Sequence, residues 1–230
     1  MSVKSYSLSG CQVFFDFDNT LTYFDVLDDI IERFSVDDAW KILEKKWSEG
    51  KIGSRECLKG QLESVRVSKR DLLKYLGKIK VNPYFKKIIP ILQRNHAGPV
   101  ILSDDFHFII DTILRNNGIK GVSVCANQLK LKDNRLIPSF PHTNSDCWKC
   151  AHCKTKNLSK GKFNSKIIIY VGDGHSDICP AKKADIVFAK GSLLKYFRNN
   201  KLACRAFKDL KEIYNYFSEN NNIYVLLKFS

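Results

Sequence analysis

The sequence predicts an α/β fold, and three observations predict it. Four short apolar runs, at residues 13–15, 99–102, 166–171 and 186–189, stop at acidic, hydroxyl or glycine-bearing stretches, as buried strands do on entering a loop. Between them the apolar residues fall at helical spacing instead. With 44% hydrophobic residues and only 6 prolines and 12 glycines in 230 residues, the composition is that of an ordinary globular protein. The length suits one domain with an insertion, or two small domains.

The first run carries most of the chemistry. Residues 13–22, Val-Phe-Phe-Asp-Phe-Asp-Asn-Thr-Leu-Thr, bring two carboxylates, Asp16 and Asp18, to a strand end. Alternate strand residues point to opposite faces, so the two share a site only if the backbone turns between or just after them. Paired ionised carboxylates repel and therefore share a proton or hold a cation. Mg²⁺, a hard ion that takes one or two carboxylates plus water and phosphate oxygens, suits them. A plain strand ending in a polar turn is the alternative.

Residues 23–81 read as helix. Val26, Leu27, Ile30, Ile31 and Phe34 share one spacing, Ser35 to Asp38 opens a second helix through Trp40 and Trp47, and Ser54 and Ser68 start two more, Ser68 with Asp71 as a capping box. Trp40 and Trp47 are expected in the core of this insertion. Arg55 follows a Gly-Ser pair and is a candidate for bidentate contact with a substrate carboxylate or phosphate, or for a surface salt bridge. A helix over 83–95 leads into the strand that delivers Ser103, followed by Asp104 and Asp105. Residues 106–117 form the next helix, and 122–140 read as a strand pair turning through 132–135.

Next comes an unexpected cluster of His142, Cys147, Cys150, His152 and Cys153. Two overlapping C-x2-C pairs beside histidines have zinc-site spacing, so Cys147, Cys150 and Cys153 with one histidine are a candidate set for a structural Zn²⁺, with small packing thiols as the alternative. The next cysteine is Cys179, too far for a ferredoxin-type iron–sulfur site. Lys154 and Lys156 follow. The run at 166–171 then ends in Gly-Asp-Gly-His-Ser-Asp, with Asp173 and Asp177 among glycines that permit tight turns. Helices are expected over 176–184, from 191 through Phe197, and over 209–217; the segment from Asn220 stays unplaced.

Whole-chain properties narrow the classes. Residues 1–10 are polar and lack a secretion signal, and no run approaches the roughly 18 apolar residues of a membrane span, so a cytoplasmic protein without membrane partners is expected. The formal net charge of +14 favours polyanions at long range. The lysines are nevertheless spread over the chain without a basic block or an aromatic-interleaved RNA motif, so nucleic acid is not an expected partner. A basic zinc-containing nucleic-acid module remains the reading from a different class.

The order D-x-D-N-T at residue 16, strand-borne Ser103, Lys154 and G-D-G-x-x-D at residue 172 resembles the four motifs of the haloacid dehalogenase-like phosphatases. The closer resemblance is to the branch holding phosphoserine phosphatase and the methylthio-ketopentenyl-phosphate phosphatase, and the stretches 52–57, 153–154 and 181–185 are similar to its salvage-type subgroup. The resemblance implies a Rossmannoid three-layer α/β/α core with a mainly parallel sheet, residues 1–22 and 82–230, and a helical cap, 23–81, inserted after the first strand. It implies Asp16 as nucleophile, Asp18 as acid and base, Ser103 and Lys154 as phosphate ligands, and Asp16, Asp18, Asp173 and Asp177 around Mg²⁺. Asp25 and Arg55 in the cap would select the substrate. That substrate is a small phosphorylated metabolite, of methionine-salvage type or else phosphoserine or a phospho-amino-alcohol; a phosphotransferase on the same fold is the further alternative. Oligomeric state is left open.

Overall fold

The computed structural model describes residues 3–145, 147, 149–162, 167–219 and 222–226. The chain opens with β1 (Val3–Ser7) and β2 (Cys11–Phe15), then runs through α1 (Val26–Phe34), α2 (Ala39–Ser48), α3 (Ser54–Glu63) and α4 (Lys69–Leu76). Helix α5 (Pro83–Arg94) leads into β3 (Pro99–Phe106), α6 (His107–Asn116), and the hairpin of β4 (Ser123–Lys132) and β5 (Arg135–Ser139). There follow α7 (Lys154–Lys162), β6 (Ile167–Gly172), α8 (Ile178–Ala181), β7 (Ile186–Ala189), α9 (Gly191–Asn199), β8 (Arg205–Ala206), α10 (Leu210–Glu219) and β9 (Asn222–Leu226).

Seven strands form one sheet in the order β5-β4-β3-β2-β6-β7-β8, parallel except for the β4–β5 hairpin. Strand β2 lies in the middle because its apolar residues are buried on both faces, as a central parallel strand requires. Val13, Phe15, Ile169 and Val171 pack on one side with Phe85 of α5, Ile109 and Ile113 of α6 and Ile213 of α10. Phe14, Ile168 and Tyr170 pack on the other with Leu158 of α7 and Leu193 and Phe197 of α9. Each fully buried side chain of this size contributes about 1.5–3 kcal/mol. The result is the expected three-layer α/β/α core with a helical cap inserted after the first strand of the large sheet.

The chain runs from β2 to β3 on one side and, after the β4–β5 hairpin, crosses back through α7 to β6 on the other side of β2, so a crevice opens at the carboxyl ends of these three strands. The cap covers that crevice. Helix α1 is capped by Asp25, which accepts from Asp28 N at 3.0 Å, and buries Val26, Leu27, Ile30 and Ile31. The Ser68 box forms, with Asp71 N donating to Ser68 Oγ at 3.1 Å. Trp40 packs against the core, whereas Trp47 stands 36% exposed at the crevice, its Nε1 donating to Ser54 Oγ at 3.0 Å. Outside the large sheet, β1 pairs antiparallel with β9, joining the polar start of the chain to the segment that sequence left unplaced.

Candidate active site

The turn after β2 solves the alternation problem. Asn19 adopts a left-handed φ of 53°, which Asn tolerates, and the N–H groups of Thr20, Leu21 and Thr22 all donate to Phe17 O. The backbone reverses at once, and Asp16 and Asp18 both line a cavity of about 220 Å³. Asp18 Oδ1 accepts from Val26 N at 2.8 Å, so the first residue of α1 fixes this carboxyl and couples it to the cap. Ser103, within β3 directly after its apolar residues, and Lys154, at the start of α7, line the same cavity together with Asp173.

Lys154 is the hub of the floor. Its Nζ donates to Asp16 Oδ1 at 2.6 Å, Asp177 Oδ1 at 2.8 Å and Ser176 Oγ at 3.1 Å. Burial alone would lower the Lys154 ammonium, but Asp16 and Asp177 outweigh it and hold it well above its usual range. Lys154 is buried while Lys156 is exposed, so the earlier lysine is the one placed in the site. Asp177 is saturated: Tyr170 OH donates to Oδ1 at 2.6 Å, and Asp173 N and Gly174 N each donate to Oδ2 at 3.0 Å. It therefore holds the loop and the lysine. Thr20 Oγ1 donates to Asp173 Oδ1 at 3.1 Å and fixes that carboxylate from the opposite side.

Carboxylate oxygens of Asp16, Asp173 and Asp177 lie within 4.8 Å of one another. Burial and the neighbouring Asp177 push Asp16 well above the carboxylate range and raise Asp173 to about 6. Three crowded carboxylates facing one lysine are a donor set suited to a hard cation, and Mg²⁺ fits it. With Asp177 already saturated, Asp16 and Asp173 are the carboxylates open to such an ion. Asp18 is raised well above its usual value by burial, and then by Asp25, Asp105 and Asp16, which favours the protonated form that a general acid needs.

The cap side of the cavity is acidic. Asp25, Asp28 and Glu44 line it with Asp104 and Asp105 of β3, beside Trp47, Leu58 and Gln61. Burial, with Asp177 and Asp25 against Lys154, raises Asp104 to about 6. Asp104 Oδ1 and Asp105 Oδ2 are buried and have no hydrogen-bond partner; Lys154 Nζ stands 4.0 Å from the former. Asp25 thus lines the cavity. Arg55 does not: α3 turns Ser54, Cys57, Leu58 and Gln61 to the cavity, and Arg55, one position beyond Ser54, is exposed and absent from the lining.

The zinc expectation is overturned. Cys147, Cys150 and Cys153 form no triad; the converging donor set is Cys125, His142 and His152. Cys147 and Cys150 approach each other, Sγ to Sγ 3.5 Å, while Cys153 is buried at the entry to α7, its N–H on His142 O at 2.8 Å. That bond closes the loop and brings the two histidines together. Cys125 comes from β4, a neighbour that no local spacing could reveal. Burial first, then His142 and Lys154, lower His152 to about 3.

A family model described as Putative Phosphatase matches residues 11–212. Bovine phosphoserine phosphatase is 24% identical over 202 residues, covering 86% of this chain and 90% of the relative. The 2-hydroxy-3-keto-5-methylthiopentenyl-1-phosphate phosphatase of Microcystis aeruginosa is 25% identical over 189 residues, covering 81% and 87%. Among solved structures, a substrate-bound phosphoserine phosphatase complex superposes with a TM-score of 0.68 at 24% identity, covering 89% of this chain and 97% of that one. No helix of the described residues is long and apolar enough to cross a membrane.

Proposed function

Because the chain belongs to the Putative Phosphatase family of haloacid dehalogenase-like phosphatases, we propose that it hydrolyses a small phosphomonoester whose alcohol bears an ammonium group, phosphoserine or a phospho-amino-alcohol. One observation carries the substrate class. The described lining of the cavity gathers Asp25, Asp28, Glu44, Asp104 and Asp105 against a single lysine, Lys154, whose Nζ stands 4.0 Å from Asp104 Oδ1 and is already shared by Asp16 and Asp177. A phosphate dianion alone would be repelled by this wall; a substrate carrying a cation pairs with it. The uncharged methylthio-ketopentenyl group of the other relatives gives these acids nothing to neutralise.

In this reading Asp16 attacks phosphorus and forms an aspartyl-phosphate. Lys154 and Ser103 hold the equatorial oxygens, where the transferring group concentrates its charge. Asp18 protonates the departing alkoxide and then takes a proton from the attacking water, restoring Asp16 and releasing phosphate. Asp16 and Asp173, with Asp177 bracing the loop, would hold Mg²⁺, which when bound would supply charge neutralisation for phosphoryl transfer. The cap excludes water from the intermediate.

The test compares phosphoethanolamine with propyl phosphate, which replaces the ammonium by a methyl group at nearly the same size, and adds O-phosphoserine. A buried charge-assisted contact contributes about 1.5–3 kcal/mol, so kcat/KM should favour the amine roughly 10- to 100-fold in Mg²⁺. Equal values for the two esters would overturn the substrate class.

A further inference from the structure

Beside the tip of β3, nitrogen and sulfur donors converge from three separate parts of the chain. Cys125 lies on β4, His142 follows β5, and His152 precedes Lys154 by two residues; their donor atoms all lie within 4.8 Å of one another. None of the three lines the cavity that holds Asp16 and Asp18. His152 decides what the group can do. Its Nδ1 lies 2.8 Å from the carbonyl oxygen of Ser103, which can only accept, so Nδ1 carries the proton and Nε2 keeps its lone pair. Cys125 Sγ is 3.8 Å from Nε2, and the His142 ring, now stacked on His152 with centroids 4.7 Å apart, needs only to tilt for both rings to face one ion. A histidine whose far nitrogen donates to a backbone carbonyl is held in the tautomer and orientation that metal ligation uses.

We propose that Cys125, His142 and His152 bind one Zn²⁺. A thiolate and two imidazoles make three ligands of a tetrahedral ion, and water takes the fourth position. In the metal-free protein Asn157 Nδ2 donates to the same Nε2 at 2.6 Å, so this amide turns aside when the ion enters. The softer nitrogen and sulfur set separates this ion from Mg²⁺, which takes oxygen ligands at the active site. Zinc here fastens three segments at once: β4, the loop at His142, and the turn that holds the Ser103 carbonyl and leads into Lys154. The ion positions both phosphate-facing groups without touching substrate.

The chain, stripped with a chelator and dialysed against Zn²⁺ in excess Mg²⁺, is analysed for bound metal by mass spectrometry, and Co²⁺ is substituted to read thiolate charge-transfer absorption. About one zinc per chain is expected in the wild type and in a Cys147→Ser, Cys150→Ser double variant. The stoichiometry should fall close to zero in Cys125→Ser and in His142→Gln, with the cobalt charge-transfer band lost in Cys125→Ser. Circular dichroism checks folding, and His142→Gln carries the test if Cys125→Ser does not fold. No zinc in the wild type, full zinc in His142→Gln, or zinc that follows Cys147 and Cys150 would each overturn the site. Metal content is read without turnover, so failure here leaves the phosphatase reading standing, and the converse also holds.

Discussion

Gly172→Ala should be far more damaging than the loss of two hydrogens suggests. A Cβ at this position would lie 2.5 Å from Asp177 Oδ2, 2.7 Å from its Cγ and 3.0 Å from Tyr170 Cε1, where ordinary contacts begin near 3.4 Å. The neighbour cannot yield cheaply. Asp177 is fully buried and pinned by Lys154, Tyr170 OH and the N–H groups of Asp173 and Gly174. Overpacking of this kind costs about 1–3 kcal/mol, and pushing Oδ2 off its two backbone donors adds about 1–3 kcal/mol. A total near 3 kcal/mol corresponds to a fall in Tm of roughly 6–12 °C for a chain of this size. The displaced loop carries Asp173, and misplacement of about 1 Å costs roughly 100-fold in rate. Gly174→Ala is the control, because its Cβ would meet nothing closer than 3.7 Å and its φ is not left-handed. It should be neutral or stabilise slightly, through the less flexible unfolded chain. Urea and thermal unfolding of both variants read the difference, and a Gly172→Ala protein as stable as Gly174→Ala would refute the reasoning.

Further outcomes follow from the same geometry. Lys154→Met strips Asp16 and Asp177 of their shared cation and should lower phosphate release at least about 100-fold, while Lys156→Met, at an exposed position, should leave it near wild type. Asp104, raised to about 6, gains its charge as pH climbs through that value; the preference for phosphoethanolamine over propyl phosphate should grow between pH 5 and 7, and Asp104→Asn should flatten that rise. Asp173 is raised from 3.8 to about 6 in the metal-free fold, so its contribution to stability is full below 3.8 and lost as pH rises through about 6. Thermal melts in EDTA should therefore fall from pH 5 to pH 8, and saturating Mg²⁺ should reverse the trend.

Much of the site was readable because its groups sit where apolar runs stop. A buried strand must end at the sheet edge, and Asp16, Ser103 and Asp173 each follow such a run, so local pattern placed them together. What escaped depended on direction or on distant pairing. Tyr170 reads as one more apolar strand residue, yet its hydroxyl holds Asp177. Arg55 and Ser54 are adjacent in sequence but face different ways on α3, which only the packed helix fixes. Trp47 shares a helical face with Trp40 and still ends at the cavity, because α2 buries no residue fully. Cys125 sits in an ordinary amphipathic strand, and its partnership with His142 and His152 exists only once β4 lies beside β3. The β1–β9 pairing joins the two ends of the described chain, a separation at which no local signal survives.

The central claim is covalent transfer of phosphate to Asp16, and trapping it is the most direct test. ³²P-labelled phosphoethanolamine would be mixed with Mg²⁺-loaded wild-type protein, quenched in acid within milliseconds, digested and mapped. The account predicts hydroxylamine-labile label on the peptide containing Asp16, slower to appear in Asp18→Asn, which lacks the group that protonates the leaving alkoxide, and no label in Asp16→Asn. Label on any other residue, or label that persists in Asp16→Asn, would contradict it.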